Sequence, residues 1–137
     1  MGLALAANTQ LSALSTIFVT NLLTSPQLPS LIALNSQRLA TAYVMLTSFL
    51  KAEGRPYLPC NAGLYVYAKL APDAKTWEDE AAMVSKLKEG GVLVSAGRAY
   101  CGPESEKGWA RIGFAVEEDE LREAMRRMSR VFVKEKQ

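Results

Sequence analysis

Histidine is absent from this 137-residue sequence, which excludes Ser-His-Asp and Cys-His nucleophile pairs and every zinc site that needs an imidazole. Only two cysteines occur, Cys60 and Cys101, far apart and without CxxC spacing, so neither a disulfide framework nor a thiolate metal site is indicated. They read as two ordinary thiols of a reducing compartment. Charge is scarce in the first 50 residues, where Arg38 stands alone; the remaining fifteen of the sixteen basic residues and all fourteen acidic ones follow it. The net charge of +2 is too small to argue for nucleic acid or an anionic membrane surface. Long apolar runs are missing too, because Asn8, Thr9, Gln10, Ser12, Ser15, Thr16, Thr20 and Asn21 interrupt the stretch that would have to span a bilayer. Met1 to Gln37 carries no Lys or Arg, unlike the basic start of a secretory signal, so the expectation is a soluble, cytoplasmic chain.

What is present fits one compact domain: 49% hydrophobic and 22% charged residues are ordinary globular values. Leu3, Ala6, Ala7, Leu11, Leu14, Phe18 and Leu22 recur at helical spacing and predict a helix over about 3–24. Its other face is neutral rather than charged. A solvent-facing helix usually carries Lys and Glu there, so residues 1–54 read as a helical, interface-forming segment whose uncovered side needs a partner surface. Ser25-Pro26 and Leu28-Pro29 break this helix and start another that runs to about Glu53, with Gly54 as its C-terminal stop.

Residues 55–137 form the expected core, in the order strand, helix, strand, strand, helix. Extended segments are predicted at 57–59 and 62–70, the latter alternating Leu64, Val66, Ala68 against Tyr65, Tyr67, Lys69. Thr76 caps a helix through Lys88 that Gly90-Gly91 ends. A short buried strand over 92–95, a glycine-bearing loop, a strand over 109–116 and a helix over 117–133 complete the chain. The fold class is therefore α+β, with a small mixed or antiparallel sheet of three to four strands backed by helices.

Arg111 is the candidate site residue. It lies in Trp109-Ala110-Arg111-Ile112-Gly113-Phe114-Ala115, a strand otherwise without charge, and a cation there is costly unless it meets an anion or solvent. Its planar fork suits a carboxylate, which it can grip through two parallel hydrogen bonds; a solvent-facing arginine is the plainer reading. The preceding loop, Ala96 to Gly108, offers Gly97, Arg98 and Tyr100 as possible ligand contacts but matches no phosphate-binding motif. Arg98 is either a second anion contact or solvated. Lys86 and Lys107 look exposed, not desolvated as a Schiff-base amine requires. The acidic run Glu117 to Glu120 reads as compensation of a helix dipole, and Arg122, Arg126, Arg127 and Arg130 as a salt-bridged solvent face.

Two segments together resemble the C-terminal small domain of fold-type I, pyridoxal-phosphate-dependent class I/II aminotransferases, in particular the 1-aminocyclopropane-1-carboxylate synthase-like branch. One is Asn61-Ala62-Gly63-Leu64-Tyr65-Val66-Tyr67. The other runs from Val92-Leu93-Val94-Ser95-Ala96-Gly97 through Gly108-Trp109-Ala110-Arg111-Ile112-Gly113-Phe114-Ala115 into Leu121-Arg122-Glu123-Ala124-Met125-Arg126-Arg127. The resemblance implies that Arg111 clamps a substrate α-carboxylate. The chain departs from the pattern at Ala96, where the family has proline, and at Arg98 and Ala99, where it has small polar residues. The family's cofactor lysine has no counterpart here, so the resemblance implies pyridoxal 5'-phosphate in an intact enzyme and none bound to this chain alone. It also implies a large cofactor domain, or self-association, as the partner of residues 3–50. The rival reading is a stand-alone, non-catalytic α+β module that binds a small carboxylate or a protein.

Overall fold

The computed structural model describes residues 12–100 and 106–135, the last two by backbone alone. The start of the predicted first helix, Cys101 and the middle of the glycine-bearing loop lie outside the described residues. Helices α1 (Ala13–Leu23) and α2 (Leu28–Ala52) come first, followed by strands β1 (Tyr57–Leu58) and β2 (Tyr65–Lys69). Helix α3 (Trp77–Glu89), strand β3 (Ser95–Ala96), a 3-10 turn (Gly97–Tyr100), strand β4 (Trp109–Gly113) and helix α4 (Glu118–Glu135) complete the order. The chain falls into two compact units, residues 1–37 and 38–137, and the boundary lies inside α2.

In the first unit no residue of α1 is buried, and Leu14, Ile17, Phe18 and Leu23 are exposed, as are Leu31 and Ile32 of α2. No single helix among the described residues is long and apolar enough to cross a membrane; α1 and α2 pass that test only as a pair bent by 81°. Pro29 sits in the first turn of α2, where its missing N–H leaves no hydrogen bond unmade.

The second unit is built on an antiparallel sheet of order β1-β2-β4-β3. This is the α+β arrangement expected of the sequence, in its antiparallel form. Alternation places Val66, Ala68, Ala110 and Ile112 on one face of the sheet. There they join Leu46 and Leu50 of α2, Met83 and Leu87 of α3, and Met128 and Phe132 of α4 in a single buried cluster. Arg55 lies within this core, 5% exposed: its Nη1 donates to the Leu70 carbonyl at 2.7 Å and its guanidinium lies 4.3 Å from the Phe132 ring centroid.

Local chemistry explains the helix ends. Gly54, at φ 67°, lets the Arg55 amide turn back to the Leu50 carbonyl at 2.8 Å and close α2. At α3 the Thr76 hydroxyl accepts from the Asp79 amide at 3.1 Å, while the Asp79 carboxylate accepts from the Thr76 and Lys75 amides at 2.9 and 3.0 Å. Those amide bonds hold the Asp79 carboxyl below the ordinary aspartate value. On α4, Glu118 pairs with Arg122 at 2.6 Å and Glu123 with Arg127 at 2.8 Å, as the four-residue spacing predicts.

Three strands differ in extent from the sequence prediction, the one expected over 62–70 being paired only over Tyr65–Lys69. The strand expected over 92–95 starts only at Ser95, because the Val92 amide is spent on the Leu87 carbonyl at 2.8 Å as α3 unwinds through Gly91 at φ 79°. Leu93 is consequently exposed. The strand expected over 109–116 ends at Gly113, although the Phe114 amide still reaches the Leu64 carbonyl at 3.1 Å. A short strand β1 forms within the extended segment expected at 57–59, pairing Tyr57 and Leu58 with Ala68 and Tyr67.

Candidate functional site

Because Ala110 and Ile112 face the core, the pleat sends Arg111 to the opposite face of the sheet. Its neighbours across the ladder are Tyr67 on β2 and Ser95 on β3, so it stands on an inner strand rather than at an edge. Arg111 is half-buried, and two aromatic rings account for this. Its guanidinium lies 4.1 Å from the Tyr65 ring centroid and 4.2 Å from that of Tyr100. Tyr65 reaches it because the residue opposite Tyr65 is Gly113, whose missing side chain leaves the ring room to lean along the sheet. Tyr100 arrives from the 3-10 turn.

Cation–π contact with two rings attracts the guanidinium but supplies no hydrogen-bond acceptor, so its N–H groups are left for another partner. Among the described residues no carboxylate or carbonyl accepts from them. The arrangement leaves a half-buried cation with hydrogen-bond donors that an anion could accept from.

Around this centre the same face is lined by aromatics and paired charges. Tyr67 stacks on Trp109 with ring centroids 5.2 Å apart and planes 5° from parallel. Lys69 pairs with Glu106 at 3.6 Å. Arg98 is exposed, in line with the solvated alternative, and lies away from Arg111's rings; its guanidinium lies 5.4 Å from the Trp77 ring, on which Lys107 also sits at 3.6 Å. Gly97 is buried, and a Cβ there would come within 2.5 Å of the Tyr67 hydroxyl and 2.7 Å of the Trp109 carbonyl. That close approach explains glycine at this position. The structure thus brings Arg111 and Tyr100 together, packs Gly97 against Tyr67 and Trp109, and places Arg98 near Trp77.

Sequence reasoning missed Glu80. It is only 2% exposed, and its carboxylate accepts from the amides of Arg98, Gly108 and Trp109 at 2.9, 2.9 and 3.1 Å. Burial raises the Tyr67 phenol above the ordinary tyrosine value, and the Glu80 charge adds to the rise. In the sequence, Glu80 is one of three acids in a helix's first turn, where dipole compensation is sufficient explanation.

Comparison with known proteins identifies the family of the chain. The profile of the family described as "Aminotransferase class I and II" matches residues 4–128. The chain belongs to the class I and II aminotransferase family. Probable aminotransferase aclI of Aspergillus oryzae is 50% identical over 135 residues, a match covering 98% of this chain and 32% of that protein. The 1-aminocyclopropane-1-carboxylate synthase-like protein 1 of Mus musculus is 32% identical over 100 residues, 71% of this chain and 19% of that one. Among solved structures, the aromatic aminotransferase from Pyrococcus horikoshii OT3 superposes with a TM-score of 0.63 at 25% identity, over 73% of this chain and 26% of that one. This aminotransferase-family chain spans about a third of the length of the curated relatives it matches most fully.

Aminotransferases of this family depend on pyridoxal phosphate, whose aldehyde needs a desolvated lysine amine and whose phosphate needs a cluster of donors. The described residues do not fit it. Every lysine whose side chain is described is exposed or only half-buried, with Lys69 paired to Glu106 and Lys107 laid on Trp77. Two cavities hold no lysine: one of about 320 Å³ beside α4, lined in part by Leu46, Val92, Ile112 and Met128, and a larger open one of about 630 Å³ lined by Phe49, Glu53, Asp119, Arg122, Met125, Arg126 and Ser129.

Proposed function

We propose that this chain is the substrate-gripping small domain of a pyridoxal-phosphate-dependent amino-acid enzyme, with Arg111 holding the substrate α-carboxylate. The observation that carries the proposal is the half-buried guanidinium between Tyr65 and Tyr100, its rim unmatched by any acidic group among the described residues. Partial desolvation of a cation without a counter-ion costs free energy that a bound anion returns. Transamination is the proposed reaction of the intact enzyme. The relatives carrying a 1-aminocyclopropane-1-carboxylate synthase-like name keep elimination or ring closure as the finer alternatives. The cofactor lysine is proposed to come from polypeptide outside these 137 residues.

Binding can be read on the Arg111 Nε–Hε resonance of the full chain during titration with acetate or alanine. One charge-assisted, two-pronged contact contributes about 1.5–3 kcal/mol, so half-saturation is expected at about 10–100 mM. Arg111→Ala should remove the acetate-specific shifts of the neighbouring amides, and Arg111→Lys should restore little, since an ammonium lacks the planar fork. A silent titration of the wild-type chain would refute the proposal. Micromolar affinity would instead favour the stand-alone carboxylate-binding module.

The same reading assigns a partner to the first unit. Leu14, Ile17, Phe18, Leu23, Leu31 and Ile32 would be covered by a large cofactor domain or, without one, by a second copy. Sedimentation velocity should show concentration-dependent association that the double change Ile17→Lys, Phe18→Lys suppresses; a monomer at every concentration contradicts it.

A further inference from the structure

Among the described residues Glu80 is the one buried acid, and the carboxylate-binding role of Arg111 does not use it directly. A carboxylate taken out of water is tolerated only when its oxygens are fully engaged. Here one oxygen accepts from Arg98, which leads out of β3, and the other accepts from Gly108 and Trp109, which lead into β4. A single side chain on α3 therefore ties together both arms of the β3–β4 connection. The outgoing arm carries Tyr100, one of the two rings against Arg111, and the incoming arm sets where β4 begins, two residues before Arg111 itself. The position of Glu80 in the first turn of α3 adds the favourable helix N-terminal field to these bonds.

Resting on the carboxylate-binding reading above, we infer that Glu80 is a positioning residue: it holds the Tyr100 ring against Arg111 and so presents the N–H groups of the guanidinium to substrate. The role requires a carboxylate. A glutamine has one acceptor oxygen, and its NH2 group would face an amide N–H at one arm, leaving that arm untied. An aspartate keeps the charge but is one methylene too short to reach both arms.

The test uses the full 15N-labelled chain. Close approach to two tyrosine rings should move the wild-type Arg111 Hε resonance away from its ordinary position by ring currents. In Glu80→Gln, amide exchange at one or both arms should quicken about tenfold, as expected for one lost hydrogen bond to a charged group. The Arg111 Hε resonance should return toward its ordinary position, and the affinity for acetate should fall several-fold. The resonances of Leu46, Leu50 and Phe132 should stay in place. Glu80→Asp should reproduce these changes. An unmoved Arg111 Hε in both variants overturns the inference. So does a wild-type Arg111 Hε already at the ordinary position, a measurement that stands even if the variants fail to fold. If acetate leaves the wild-type Arg111 unmoved while Glu80→Gln shifts it, carboxylate binding fails and the positioning role of Glu80 holds.

Discussion

Phe132→Ala should lower unfolding stability by about 4 kcal/mol, within the usual range for truncating a buried aromatic. The ring is 0% exposed, stacks against Phe49 with centroids 6.4 Å apart, and carries the Arg55 guanidinium on its face. Truncation therefore has two effects. It opens a cavity in the cluster where α2, α4 and the sheet meet, and it strips a buried cation of its π partner, an interaction worth about 2 kcal/mol when desolvated. A loss of this size is comparable to the whole stability of many small domains. Urea unfolding followed by far-UV circular dichroism gives the value directly. Val133→Ala, one residue along the same helix but exposed, should change stability by no more than about 0.5 kcal/mol. Equal effects of the two substitutions would show that the core is not organised around Phe132.

Gly108→Ala should be the next most damaging change, at about 3 kcal/mol, and for a different reason. Gly108 has φ 87°, and a Cβ added there would overlap the Ala71 carbonyl oxygen. That carbonyl belongs to backbone that cannot swing aside, because the Ala71 amide donates to the Gly108 carbonyl at 3.1 Å and the Gly108 amide donates to Glu80 at 2.9 Å. Gly63 separates the two contributions. It has φ 94° with nothing within 4 Å of an added methyl, so Gly63→Ala should cost only the conformational penalty of about 1 kcal/mol. If the two alanine variants unfold at the same denaturant concentration, steric overlap at Gly108 is not the cause of its requirement.

Much of this architecture can be read from one-dimensional pattern, and the exceptions share a cause. The ends of α2 and α3 are legible because Gly54, Thr76 and Gly90-Gly91 act on their own neighbours. Strand β2 is legible because Val66 and Ala68 alternate with tyrosines on a sheet covered from one side. The strand at 92–95 is misplaced by pattern because Val92, Leu93 and Val94 have the composition of a strand, while the amide of Val92 is claimed by the unwinding helix before it. Hydrophobic pattern does not report where a backbone donor is spent. At the site, Arg111 stands out through its isolation among uncharged residues. Its tyrosine neighbours do not, since Tyr65 reaches it across a strand pair and Tyr100 around a turn. Glu80 and Arg55 escape for the same reason: each is a charged residue whose partners lie far along the chain, and nothing in its immediate neighbours distinguishes it from a surface group.

The sheet has an unusual economy at its margins. Both outermost strands, Tyr57–Leu58 and Ser95–Ala96, are only two residues long, so the row of unmet donors and acceptors on either flank is too short to template another chain. Fibrillar growth by strand addition has almost nothing to extend, and clumping of this polypeptide at high concentration should stay amorphous and thioflavin-negative.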